Sequence, residues 1–89
     1  MTSIPTEELF AFPCDHLFKA FGPNDETFVS DVCAAVAAVT PLSRDALKLR
    51  PSSGGAHQCV SILLMLQNYV QLQQLYAALR QVPRLKFLL

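Results

Sequence analysis

Two stretches of this chain carry apolar residues at helical spacing, and each lies between shorter runs that alternate or are apolar throughout. That interleaving leaves few folds open. Val29, Val32, Cys33 and Val36 recur at i, i+3, i+4 and i+7, and Leu72, Leu75, Tyr76 and Leu79 repeat the pattern, one buried stripe per helix. Ahead of the first stripe, Cys14 to Phe21 reads as a strand with His16, Phe18 and Ala20 on one face and Leu17, Lys19 and Phe21 on the other. Between the stripes, Leu47 and Leu49 alternate with Lys48 and Arg50. His57 to Leu66 is then aliphatic enough for a central strand. After the second stripe, Leu85, Phe87 and Leu89 alternate with Lys86 and Leu88 as a last strand.

The punctuation fits this order. Gly22-Pro23 ends the first strand, Asn24 is placed to cap a helix, and Asp25 and Glu26 put negative charge in its first turn. Pro41 stops that helix, and Pro51-Ser52-Ser53-Gly54-Gly55 forms a turn. Asn68 with Gln71 resembles a capping box, and Pro83 closes the second helix. The order β-α-β-β-α-β predicts an α+β, ferredoxin-like two-layer sandwich. Its four-stranded antiparallel sheet has the order 4-1-3-2, with both helices on one face. Eighty-nine residues suffice for one such domain, predicted over 11–89, with 1–10 as a loosely ordered arm.

Several functions are disfavoured. Seven basic and seven acidic residues cancel, so net charge points to neither nucleic acid nor an anionic membrane. The balance is uneven along the chain: six of the seven acids precede Ser43 and six of the seven bases follow Leu42, which suits head-to-tail self-association or halves held together within one chain, although charges scattered over a solvated surface are the commoner arrangement. The apolar runs Val32–Val39 and Ile62–Leu66 fall far short of the ~18 residues that span a bilayer. Cys14, Cys33 and Cys59 are odd in number, without a CxxC pair, which predicts no disulfide framework, no zinc site and a reducing cytoplasm. Cys14 with His16, and His57 with Cys59, fall at opposite ends of the predicted pairing, so no metal or cofactor is expected. The reading is of a protein that is not an enzyme.

The stretch FPCDHLFKAFG (Phe12 to Gly22), the turn RPSSGG (Arg50 to Gly55), the VSI beginning at Val60 and the pair Leu75-Tyr76 resemble the YbeD-like family of small bacterial proteins with a domain of unknown function. The resemblance runs over nearly the whole chain after Leu9. It implies a ferredoxin-like fold similar to ACT regulatory domains, a bacterial cytoplasmic origin and no catalytic residues. Where that family tends to have a tyrosine after the turn glycine, this chain has His57. Where the family tends to be polar on the third strand, this chain has Cys59, Leu63 and Met65.

Three places are candidates for function. In the turn, Ser52, Ser53 and Gly54 follow Lys48 and Arg50, a combination able to hold an anion. In the loop after the first strand, Gly22 and Asn24 stand where the resemblance to ACT domains implies an effector. A small-ligand sensor for an amino acid or short carboxylate is therefore the alternative reading. The strongest signal is the sheet face away from the helices. Antiparallel pairing sets Leu17 opposite Leu63, Lys19 opposite Ser61 and Phe21 opposite Cys59, with Met65 and Leu88 nearby, while Phe18, Val60, Ile62, Leu64 and Phe87 face the helices. One aromatic among the seven face residues of the two central strands is a poor platform for stacking RNA bases. A face this apolar suits a protein contact, unless the arm with Ile4, Leu9 and Phe10 covers it. The sequence thus predicts a regulatory or adaptor module acting through protein contacts, as a homodimer or with another protein.

Overall fold

The computed structural model describes residues 11–89, and the arm over 1–10 lies outside the described residues. Strand β1 (Cys14–Pro23) and strand β3 (His57–Leu66) pair antiparallel along all ten residues of each. Both strands alternate, so pairing in register places Phe18 against Ile62 and Ala20 against Val60 on one face. A slip of one residue would turn every one of these side chains to the other side. Strand β2 (Leu47–Pro51), preceded by a short 3-10 turn at Arg44–Ala46, pairs with β3, and strand β4 (Phe87–Leu88) pairs with β1. The sheet order is β2-β3-β1-β4 with every pairing antiparallel, the 4-1-3-2 arrangement of a ferredoxin-like α+β fold.

Helix α1 (Glu26–Ala37) and helix α2 (Tyr69–Arg80) supply the second layer. Phe28, Val32 and Val36 of α1 and Leu72, Leu75 and Leu79 of α2 are buried with Phe18, Ala20, Val60, Ile62, Leu64 and Leu66 of the sheet, and Val82 completes the core. The Asn68 side chain accepts from the Gln71 N–H at 2.9 Å. The Gln71 side chain reaches back one residue further than a capping box requires, accepting from the Gln67 N–H at 2.8 Å.

Helix α1 starts one residue later than the sequence predicts. Its cap is Asp25, whose carboxylate accepts from the Phe28 N–H at 2.8 Å. Asn24 instead donates from its side chain to the Gly55 carbonyl at 2.9 Å and from its backbone to the Ala56 carbonyl at 3.1 Å. Both residues are good caps, and the cross-turn bonds open to Asn24 decide which one is used. Gln58, the one buried polar residue among those described, donates to the carbonyls of Pro23 and Asp25 at 3.0 and 3.2 Å.

Asp25 also receives the Arg84 guanidinium at 2.6 and 3.1 Å, an exposed pair between one acid of the first half of the chain and one base of the second. Arg84 and the Phe28 N–H hold the Asp25 carboxyl below the ordinary aspartate range. A carboxyl whose folded pKa is depressed stabilises the fold above its unfolded pKa and loses that contribution as the pH falls through the folded value. Arg84→Ala is therefore expected to lower the melting temperature slightly at neutral pH. The gap to the parent should close in strong acid, as followed by thermal melts at several pH values.

The last strand corrects the predicted face assignment. Phe87 lies opposite Phe21 and so points to the open side of the sheet, whereas Leu88 lies opposite Ala20 and packs on the core. The sequence assigned these two the other way round. Arg84 adopts a left-handed backbone, φ 65°, and Leu85 already packs on the core from outside the strand. The inward positions are thus Leu85 and Leu88, three apart, and the two-residue alternation does not carry across the turn.

Candidate functional site: the open face of the sheet

On the side away from the helices, odd-numbered residues of β1 and β3 stand in rows. Leu17 is opposite Leu63, Lys19 opposite Ser61 and Phe21 opposite Cys59, with Met65 opposite Asp15. Phe87 joins them from β4, its ring stacked on Phe21 with centroids 4.4 Å apart. Leu17, Leu63, Met65 and Phe87 keep 46, 50, 52 and 55% of their surface exposed. Isolated exposed leucines are ordinary. Four large apolar side chains on three neighbouring strands of one face form a patch of the kind that marks a contact.

The face is also basic on one flank. Lys48 lies opposite Ser61 and Arg50 opposite Cys59, so both project beside the β3 row. With Leu17, Lys19, Ser61, Leu63 and the single acid Asp45 they line a depression of about 590 Å³, in which three bases outnumber one carboxylate. Cys59 and Ser61 are within 3.7 Å, Sγ to Oγ. Of the predicted contact residues, Leu17, Lys19, Phe21, Cys59, Leu63 and Met65 share this face, and Leu88 does not. Phe87 is the member that sequence reasoning missed. Its own residue type was the available signal, since a phenylalanine beside a core-facing leucine leaves room for either order.

The two other candidate sites are used internally in part. In the turn, Ser52 donates its N–H to the His57 carbonyl at 2.8 Å and accepts from the His57 N–H at its hydroxyl at 3.3 Å. Its carbonyl accepts from Gly55 at 2.9 Å, and Gly55 takes the left-handed conformation, φ 74°, that such a turn needs. Arg50 and Ser52 line one small hollow with Phe21, His57 and Cys59, while Lys48 belongs to the larger depression; Ser53 and Gly54 stand exposed in neither. In the loop after β1, Gly22 is buried beneath the Phe28 ring and Asn24 is engaged by the turn. A hollow of about 370 Å³ beside Asn24, Asp25 and Glu26 is walled by Val29, Leu49 and Gln58.

The two Cys/His pairs singled out in the sequence stay apart. His57 lies opposite Pro23 and Cys14 opposite Leu66, at the two ends of the β1–β3 ladder. Among the described residues, no group of three or more His, Cys, Asp or Glu side chains could hold a metal ion. Burial pushes the Cys33 thiol up and the His16 imidazole down. His16 Nε2 lies 3.1 Å from the Tyr76 hydroxyl, and its ring meets Phe18 edge-on, so the half-buried ring is packed at the margin of the core. No helix of the described residues is long and apolar enough to cross a membrane.

Comparison with known proteins follows the same outline. A family model described as "Protein of unknown function (DUF493)" matches residues 7–89. A protein named "UPF0250 protein" from Paraburkholderia phytofirmans is 30% identical over 90 residues, covering 100% of both chains. Proteins of the same name from Vesicomyosocius okutanii and Chromobacterium violaceum are each 31% identical. They cover 94% of this chain and 92% of the relative in the first case, and 93% and 94% in the second. Matched over nearly its whole length and folded as that resemblance implies, the chain belongs to the DUF493 family of small bacterial proteins, the YbeD-like group indicated by its own motifs.

Proposed function

We propose that the chain is a non-catalytic contact module, regulatory or adaptor in role, that docks a protein partner on the open face of its sheet and works as a homodimer. The observation that carries this reading is the continuity of Leu17, Leu63, Met65 and Phe87 across three strands, each about half exposed. Full burial of such a side chain contributes ~1.5–3 kcal/mol by transfer from water, so sequestering the exposed halves of four is enough to offset part of the cost of association. Lys19, Lys48 and Arg50 beside them suit a partner with acidic residues at its rim, which would speed encounter more than it strengthens the complex. Three cysteines with free thiols are at home in a reducing cytoplasm.

Charge placed on the patch tests this. Leu63→Asp and Met65→Asp are expected to leave the melting temperature within ~4 °C of the parent, because surface substitutions cost little. Proteins that co-purify with the tagged full chain from bacterial cells should fall at least tenfold in both variants. Undiminished recovery in both would overturn the reading.

A further inference from the structure

Strand β1 is central in the sheet, yet among the described residues one of its edges is only partly paired. Lys19 exchanges both backbone bonds with Leu89, N–H to carbonyl at 2.9 Å in each direction, and the Phe21 carbonyl accepts from the Lys86 N–H at 2.7 Å. The odd-numbered residues of β1 therefore direct their backbone groups toward β4, and the even-numbered ones toward β3. β4 pairs with β1 only at Ala20 and Phe21. By the same alternation, the N–H and carbonyl groups of Asp15 and Leu17 point to this edge, where no described residue pairs with them. Among the described residues, the unbonded backbone groups are thus those of Asp15 and Leu17, bounded by Pro13 before the strand and by the Lys19–Leu89 pair after them.

The geometry points to this edge as the seam of the homodimer, with β1 of a second copy as its occupant. The inference rests on the homodimer reading above and names its surface. Two such edges laid antiparallel about His16 match end to end, with Asp15 facing Leu17 of the second copy and Leu17 facing its Asp15. Each pair exchanges two backbone bonds, so all four N–H and carbonyl pairs of the two edges are used. Charge fits as well. Asp15 and Lys19 share the open face, and across this seam Lys19 of one copy is a diagonal neighbour of Asp15 of the other, within reach of a long side chain. The second copy's strand would end where Leu89 begins to occupy the edge. The two open faces would then run on as one surface, leaving Leu63 and Met65 free for a different partner. Four backbone bonds and two exposed ion pairs make a weak dimer, with a dissociation constant on the order of 10–1,000 μM.

Amide exchange by NMR on the unaltered chain, at concentrations on either side of that range, tests the seam alongside molar mass by light scattering. The Asp15 and Leu17 amides should slow as dimer mass appears, with the Lys19 amide, bonded to Leu89, protected throughout. Leu17→Pro removes one edge N–H without touching the β1–β3 ladder, a substitution edge positions tolerate, and should weaken dimerisation at least tenfold; Leu63→Asp should leave it intact. A dimer lost in Leu63→Asp but not in Leu17→Pro would overturn the seam in favour of face-to-face pairing. Protection of Asp15 and Leu17 that does not vary with concentration would overturn it by showing the edge covered within one chain. A monomer at every concentration would remove the homodimer altogether, while docking of another protein on the face stays decided by the co-purification experiment. Should Leu17→Pro fail to fold, the exchange pattern of the unaltered chain settles the question.

Discussion

Gly22→Ala is expected to lower the melting temperature by roughly 12–24 °C, corresponding to ~3 kcal/mol in a domain of this size. Gly22 is buried in β1 with the Phe28 ring lying directly on it, and an added Cβ would fall inside that ring. The ring must shift to admit it. It is fully buried, and its backbone N–H is bound to Asp25 at the cap of α1, so moving it loosens the helix start. Circular dichroism melts read the effect. The double variant Gly22→Ala/Phe28→Leu should recover part of the loss, because the smaller side chain makes room. A single variant melting within 2 °C of the parent would show that the contact is not a constraint.

Phe18→Ala is expected to cost ~3–5 kcal/mol, a third or more of the stability of a small domain. Phe18 is fully buried at the centre of the sheet, opposite Ile62. Its ring meets the rings of His16 and Tyr76 at centroid distances of 4.6 and 4.9 Å, so truncation opens a cavity and removes the wall against which the His16–Tyr76 pair is held. Urea titration should show a lower midpoint with an unchanged slope. A loss below 1 kcal/mol would mean that the core closes over the gap. The contrast with Leu63→Asp, one strand away on the opposite face, is itself informative: a drastic change on the open side should matter far less to folding than a truncation on the covered side.

Much of this was legible in the residues. Helical spacing in Val29–Val36 and Leu72–Leu79 places both helices. Alternation in two ten-residue strands fixes a register in which Leu17–Leu63, Lys19–Ser61 and Phe21–Cys59 pair as the pattern predicts. Periodicity is informative where an element is long and one face is buried. It fails at β4, where two residues carry the pairing and the turn through Arg84 resets the phase. That is why Phe87 and Leu88 exchange faces. It also fails between Asn24 and Asp25, neighbours with equal capping chemistry, since the deciding bonds to Gly55 and Ala56 come from a segment thirty residues away in the chain. That β4 leaves Asp15 and Leu17 without a described backbone partner was invisible for a related reason. Alternation across Leu85–Leu89 suggests a longer strand than forms, and side-chain pattern carries no record of which backbone groups remain unpaired.

Gln58 gives the β1–β3 ladder a proofreading step. A two-residue misregister would keep every greasy side chain facing inward, so hydrophobicity alone discriminates weakly against it. It would, however, carry the Gln58 amide away from the Pro23 and Asp25 carbonyls that it satisfies and strand a polar group in the interior. One amide thus makes the frame-shifted sheet a costly mistake, and it does so beside Gly22, where the Phe28 ring leaves no room for a larger residue brought into its place.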